Sequence, residues 1–187
     1  ALSFSGGRKG RGSEGSGGPV ARSFRGSEEV KVDAKGRVSI PAKFRRVFEA
    51  SDPDWQAGKR PQLVIVFGTR DWKYLQLFTM NAINEIDEQI AKLDRGSPRR
   101  NYLEHIYHGH SEETEIDGDG RLVLPQKLRD KIGLSDGAVF ISGGDNLKVW
   151  SPESYEEEER ALEARVPELE PGADPLSLLT QPIATGG

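Results

Sequence analysis

A ten-residue pattern occurs twice in this 187-residue chain, at positions 84 apart. Val32-Asp33-Ala34-Lys35-Gly36-Arg37-Val38-Ser39-Ile40-Pro41 returns as Ile116-Asp117-Gly118-Asp119-Gly120-Arg121-Leu122-Val123-Leu124-Pro125. Beyond the prolines, Lys43, Phe44 and Arg45 line up with Lys127, Leu128 and Arg129. A repeat at fixed spacing marks a duplicated structural unit. A unit of about 50 residues has too little core to stand alone, so the two copies must bury their faces against each other. The chain is thereby held to a fold of two interlocking halves, each with a glycine turn carrying an arginine.

Each half has the same local plan. Val30 and Val32 alternate with polar residues, Lys35-Gly36 forms a turn, and Val38 and Ile40 resume the alternation. That is the pattern of a short hairpin with glycine where a positive φ is needed. Pro41 suits the first turn of a helix, and Phe44, Val47 and Phe48 then recur on one helical face. Residues 63–67 and 73–78 read as a second hairpin, after which Thr79 caps a helix with apolar Ile83, Ile86, Ile90 and Leu93. In the second half, Pro125 opens a helix with Leu128 and Ile132 inward and Gly133 at its end. A hairpin over residues 138–150 follows, and Ser151-Pro152 starts the last helix. Leu75-Gln76-Leu77-Phe78 matches Leu147-Lys148-Val149-Trp150 at a spacing of 72 instead of 84. The first half thus carries twelve extra residues, which the sequence assigns to the loop at 51–61. The expected fold class is α+β and β-rich.

Charge is distributed unevenly along the chain. The net value is −4, yet residues 1–25 hold five basic side chains against Glu14, and residues 151–187 hold nine acids against Arg160 and Arg165. Window 31–46 holds six basic side chains against Asp33, whereas the equivalent window around Arg121 is close to neutral. A polyanion should therefore prefer the first copy. Residues 1–23, rich in Gly, Ser and Arg, read as a flexible basic arm. Residues 24–97 and 98–166 are the two repeats, and 167–187, acidic with four prolines, reads as a disordered tail. The chain has no cysteine, which excludes disulfides and thiolate metal sites and fits a reducing cytoplasm. No apolar run reaches the roughly 18 residues that cross a bilayer, so no membrane partner is expected.

Asp-x-x-x-Arg turns with an apolar pair and Pro-x-Lys-aromatic after them resemble the AbrB-type swapped-hairpin DNA-binding proteins. Two copies in one chain, with FRGSEEVKVDAKGRVSIPAKFRR at the front, are similar to the MraZ family of bacterial transcriptional regulators over residues 23–163. The resemblance implies a double-split β-barrel built from two tandem AbrB-like repeats. It further implies a homo-oligomer closed into a ring, found in the cytoplasm and on the nucleoid. As ligand it implies double-stranded DNA with short G-rich direct repeats, in the promoter of the division and cell-wall gene cluster. Asp33, Lys35, Arg37, Asp117 and Arg121 carry the signature; the second copy departs from it with Asp119 in place of Lys35.

The chemistry of these residues fits that ligand. An arginine fork can bond guanine O6 and N7 together, a contact worth about 1–3 kcal/mol of discrimination, which puts Arg37 and Arg121 forward as base readers. Lys35 is a compact charge suited to phosphate, and Lys43 and Arg45 are further candidates for DNA contact. Asp33 and Asp117 repel phosphate and are expected to organise their turns, together with Gly36 and Gly120.

Other chemistries fare worse. Asp117-Gly118-Asp119-Gly120 lacks calcium-loop spacing, since position five is Arg121 and position twelve is Leu128. His105, His108 and His110 are the chain's only histidines, and a zinc enzyme built on them is the remote alternative. An antitoxin-type regulator holding a protein partner is the nearer one. No catalytic constellation, cofactor, metal site or small-molecule substrate is expected.

Overall fold

The computed structural model describes residues 23–166 and 169–180. The flexible arm expected at the N-terminus falls almost wholly outside the described residues. The first half runs β1 (Ser27–Lys31), β2 (Arg37–Ser39), α1 (Ala42–Ala50), β3 (Gln62–Val66), β4 (Tyr74–Thr79) and α2 (Met80–Ala91). A linking helix α3 (Pro98–Glu104) continues into a π-helical turn, His105–Gly109. The second half repeats the plan as β5 (Ser111–Glu115), β6 (Arg121–Val123), α4 (Gln126–Ile132), β7 (Gly137–Ser142), β8 (Asn146–Trp150) and α5 (Pro152–Leu162). Within the segment expected as a tail, Pro175–Thr180 forms a short 3-10 helix.

Helix boundaries follow the local chemistry. Thr79 caps α2 by accepting from the Ala82 amide at 3.2 Å, and Ser151 does the same for Ser154 at the start of α5. Gly133 ends α4 at φ 69°, where a Cβ would be strained. Helix α3 was not legible from hydrophobic period, because none of its residues is buried.

Strand order shows how the halves interlock. One sheet runs β1-β7-β8-β4-β3-β5, and a second, two-stranded ribbon pairs β2 with β6. Exchanging the halves leaves that order unchanged, so a pseudo-twofold axis passes between β8 and β4. The hairpin expected over residues 30–40 therefore closes only at one bridge, Val32 with Val38. Past it the strands part: β1 pairs along its whole length with β7, from Ser27–Ile141 to Lys31–Gly137. Strand β2 pairs instead with β6. A full ladder across the halves satisfies more backbone groups than one bridge within a half, which is why the local hairpin loses. The two sheets enclose a common core and meet at that bridge, the arrangement of a split barrel.

Register also locates the insertion. The offset between equivalent residues is 84 at β1 and β5, 75 at β3 and β7, and 72 at β4 and β8. Nine of the extra residues thus lie in the loop at 51–61 and three in the β3–β4 turn, not all in the loop.

The period-two alternation of the strands sorts side chains to two faces. Leu63, Ile65, Leu75, Leu77, Phe140, Leu147 and Val149 point inward, against Val38 and Leu122 of the ribbon and Phe44, Phe48 and Leu128 of α1 and α4. On the outer face Val64, Val66 and Phe78 are covered by Ala82 and Ile83 of α2 and by Ile106. Burying one such side chain is worth about 1.5–3 kcal/mol. Because both halves contribute to one core, neither retains that stabilisation alone.

Candidate nucleic-acid interface

The two repeated turns are organised alike. In the first, the Asp33 carbonyl accepts from the Gly36 amide at 2.9 Å, and the Asp33 amide donates to the Arg37 carbonyl at 3.1 Å. The Asp33 carboxylate then gathers the tip: Oδ1 accepts from the Lys35 and Arg37 amides, each at 2.9 Å, and Oδ2 accepts from Arg37 Nε at 2.7 Å. In the second, Asp117 Oδ1 accepts from the Asp119 and Arg121 amides at 2.9 Å, and Oδ2 from Arg121 Nε at 3.1 Å. Both carboxyls are held below the ordinary aspartate value, first by the arginine's backbone amide and with help from its guanidinium. Each aspartate therefore stays ionised and acts on its own turn.

Each turn is also buttressed by the opposite half. Leu124 donates its amide to the Gly36 carbonyl at 2.8 Å, and Ile40 donates to the Gly120 carbonyl at 2.9 Å. Gly36 (φ 80°) and Gly120 (φ 75°) adopt backbone that side chains rarely tolerate. Space forbids a side chain as well. A Cβ on Gly36 would lie 2.4 Å from the Leu124 carbonyl oxygen, and one on Gly120 would lie 2.5 Å from Arg45 Nη1.

The ribbon sets the direction of the arginines. Register places Arg37 opposite Val123 and Ser39 opposite Arg121. All four share the face turned away from buried Val38 and Leu122. Arg37 and Arg121 line one shallow depression of about 450 Å³, with Lys31, Ser39 and Asp136 on its wall. The two turns thus act on a single surface.

They differ in what remains open. Among the described residues the Arg37 guanidinium bonds only Asp33, through Nε, so its terminal amino groups face solvent. Arg121 is held twice, by Asp117 at Nε and by Asp119 at a terminal nitrogen, 2.9 Å away. Lys35 is exposed beside Arg37 and has no ion-pair partner among the described residues. Nearby Glu115 pairs with Arg60, where the first half has Lys31, which makes the second turn's surroundings more acidic.

The remaining expected contacts are placed differently. Lys43 is paired with Glu28 and lies 5.0 Å over the Phe44 ring. Arg45 is half-buried under Gly120 and not on the open face. Its counterpart Arg129 lies under Gly36 in the same way and donates to the Leu124 carbonyl at 3.0 Å. Arg129 was missed as a supporting residue, although the 84-residue offset aligns it with Arg45. The three histidines do not meet at one point: the His105 and His110 rings lie 4.2 Å apart, but His110 Nδ1 meets the Gly68 carbonyl at 2.8 Å and His108 meets Asp87 at 3.0 Å. Among the described residues no group of three or more His, Cys, Asp or Glu could hold a metal ion. None of the described helices is long and apolar enough to cross a membrane.

Comparison with known proteins covers both halves. The family model described as "MraZ protein, putative antitoxin-like" matches residues 23–95 and 108–170. A protein named transcriptional regulator MraZ from Ruegeria sp. (strain TM1040) is 54% identical over 161 residues, 86% of this chain and 96% of that protein. Its namesake from Ruegeria pomeroyi is 52% identical over the same shares. The one from Cereibacter sphaeroides (strain ATCC 17025) is 42% identical over 87% of this chain and 98% of its own length.

Proposed function

The chain belongs to the MraZ family, and on that premise we propose that it is a transcriptional regulator that binds double-stranded DNA through the ribbon face. Arg37 is the principal base reader, Lys35 contacts phosphate, and Arg121 adds a weaker contact on the same face. The observation that carries this reading is the open guanidinium of Arg37, aimed by Asp33 and left with free donors on an exposed ribbon. A fork held at Nε but free at its terminal nitrogens is pre-organised for a bidentate acceptor such as a guanine edge. Lys43 and Arg45 drop to supporting roles, since one is paired with Glu28 and the other lies beneath Gly120.

One such face binds weakly. We read the assembly as a closed ring of copies and the target as G-rich direct repeats in the promoter of the division and cell-wall gene cluster. Repeated faces on a ring raise the effective concentration at repeated sites and let a net-acidic chain hold DNA. The test is a mobility shift on DNA carrying such repeats, run beside light scattering of the free protein. Arg37→Ala should abolish the shifted band with the mass unchanged. An undiminished shift overturns the assignment.

A further inference from the structure

The second half contains an open socket where the first half is plugged. At the pseudo-symmetric place in the first half, Phe24 is buried against Phe44 and Phe48, with ring centroids 6.0 and 4.9 Å away. It is brought there by the segment leading into β1, whose Phe24 amide donates to the Gly144 carbonyl at 2.8 Å. In the second half the 84-residue offset puts His108 in that role. His108 sits instead in the π-helical turn and faces Asp87. Leu128, the equivalent of Phe44 and itself buried, lines an open depression of about 760 Å³.

The lining of that cavity indicates its occupant. Phe67 and Leu128 supply an apolar base, and Arg70, Lys73, Lys127 and Lys131 supply four cations, with no carboxylate in the wall. Burial and the nearby Lys73 charge push the Lys131 ammonium below its ordinary value, against the opposing pull of Asp71, and its Nζ donates to the Trp72 carbonyl at 2.8 Å. Such a place fits an apolar side chain carried on an acidic segment. The chain itself has one. Residues 169–180 hold Glu170 and Asp174 and no base. Their 3-10 helix leaves Leu176 66% and Leu179 81% exposed.

We infer that the leucine-bearing acidic segment 169–180 of one copy docks into the basic socket of a second copy, as Phe24 plugs the first half within its own chain. The leucines pack on half-buried Phe67 in the depression that Leu128 lines, and Glu170 and Asp174 meet the lysine rim. This concerns how copies are joined and stands apart from which DNA they hold.

The cysteine-free sequence makes the test direct. Full-length single variants Ser177→Cys and Lys73→Cys are mixed and oxidised without DNA. The expected product is a disulfide-linked heterodimer on a non-reducing gel. Its yield should fall at least about fivefold when Leu176→Ser and Leu179→Ser are added to the first partner, and also at high salt. An equal yield with Glu85→Cys replacing the socket cysteine would overturn the site. In the Ser177→Cys/Lys73→Cys double variant, an internal disulfide at monomer mobility would overturn docking between copies. Failure to link at all would overturn the inference outright, while the Arg37 mobility shift tests the DNA reading independently.

Discussion

The two repeated turns have almost the same backbone, the same aspartate clamp and the same buttress, yet only the first presents an unoccupied cation. One position makes most of the difference: Lys35 in the first is Asp119 in the second, and Asp119 takes a terminal nitrogen of Arg121. Shape is thus kept by Asp, Gly and the supporting arginine, while readiness for an anion is set by a tip residue that shape does not constrain. Two copies of a fold element can be structurally equal and electrostatically unequal.

That comparison can be broken at several points. The largest effect should come from the arginines. On the DNA reading proposed above, Arg37→Ala should weaken binding to repeat DNA by at least about 100-fold, because the loss of a bidentate contact of about 1–3 kcal/mol would recur at every copy of the proposed array. Arg121→Ala should cost about tenfold. Equal losses, measured by titrated mobility shift, would show that Asp119 does not hold Arg121 back.

The glycines come next. Gly36→Ala meets a backbone oxygen that cannot move, whereas Gly120→Ala meets the flexible end of Arg45. Left-handed backbone alone costs a side-chain-bearing residue about 1–2 kcal/mol. Gly36→Ala should therefore cost about 2–4 kcal/mol and Gly120→Ala about 1–2, read as Tm drops of about 2–4 °C per kcal/mol. The reverse order would show that the arginine, not the carbonyl, is the rigid neighbour.

A smaller and opposite effect should follow Asp119→Lys, which gives the second turn the first turn's charge. Affinity should rise, and the slope of log K against log salt should steepen by about one unit per added phosphate contact. An unchanged slope would place the second turn away from the backbone.

The smallest effect is the pH response. Asp33 and Asp117 have folded pKa values below the ordinary 3.8, so they bind fewer protons folded than unfolded. Their stabilisation is complete above the unfolded value and is lost as pH falls through the folded one. Urea midpoints should therefore drop below about pH 4, and less so in Asp33→Asn. A variant with the same acid sensitivity would remove Asp33 from the turn's acid response.

Much of this was legible in the sequence, and what was not has definite causes. The duplication, the β3–β4 and β7–β8 hairpins with the helices after them, the caps at Thr79 and Ser151 and the glycine turns all follow from local period and turn chemistry. The exchange of β1 and β5 between halves was not visible, because hydrophobic alternation says which face is buried and not which strand lies alongside. Helix α3 has no apolar stripe to betray it. The placement of Arg45 and Arg129 beneath glycines of the opposite half is a long-range contact, which composition around each arginine does not encode. Lys43 looked free for the same reason, since Glu28 reaches it only once β1 crosses over.

The strand order that reads the same when the halves are exchanged has a further consequence. Two identical halves around a dyad would meet a duplex alike in either direction, and their matching site would be an inverted pair. Joining the halves in one chain lets each mutate on its own. The lysine-to-aspartate difference then gives the chain a head and a tail, and under the proposed DNA reading such polar readers laid end to end along a duplex would match sites that all point the same way.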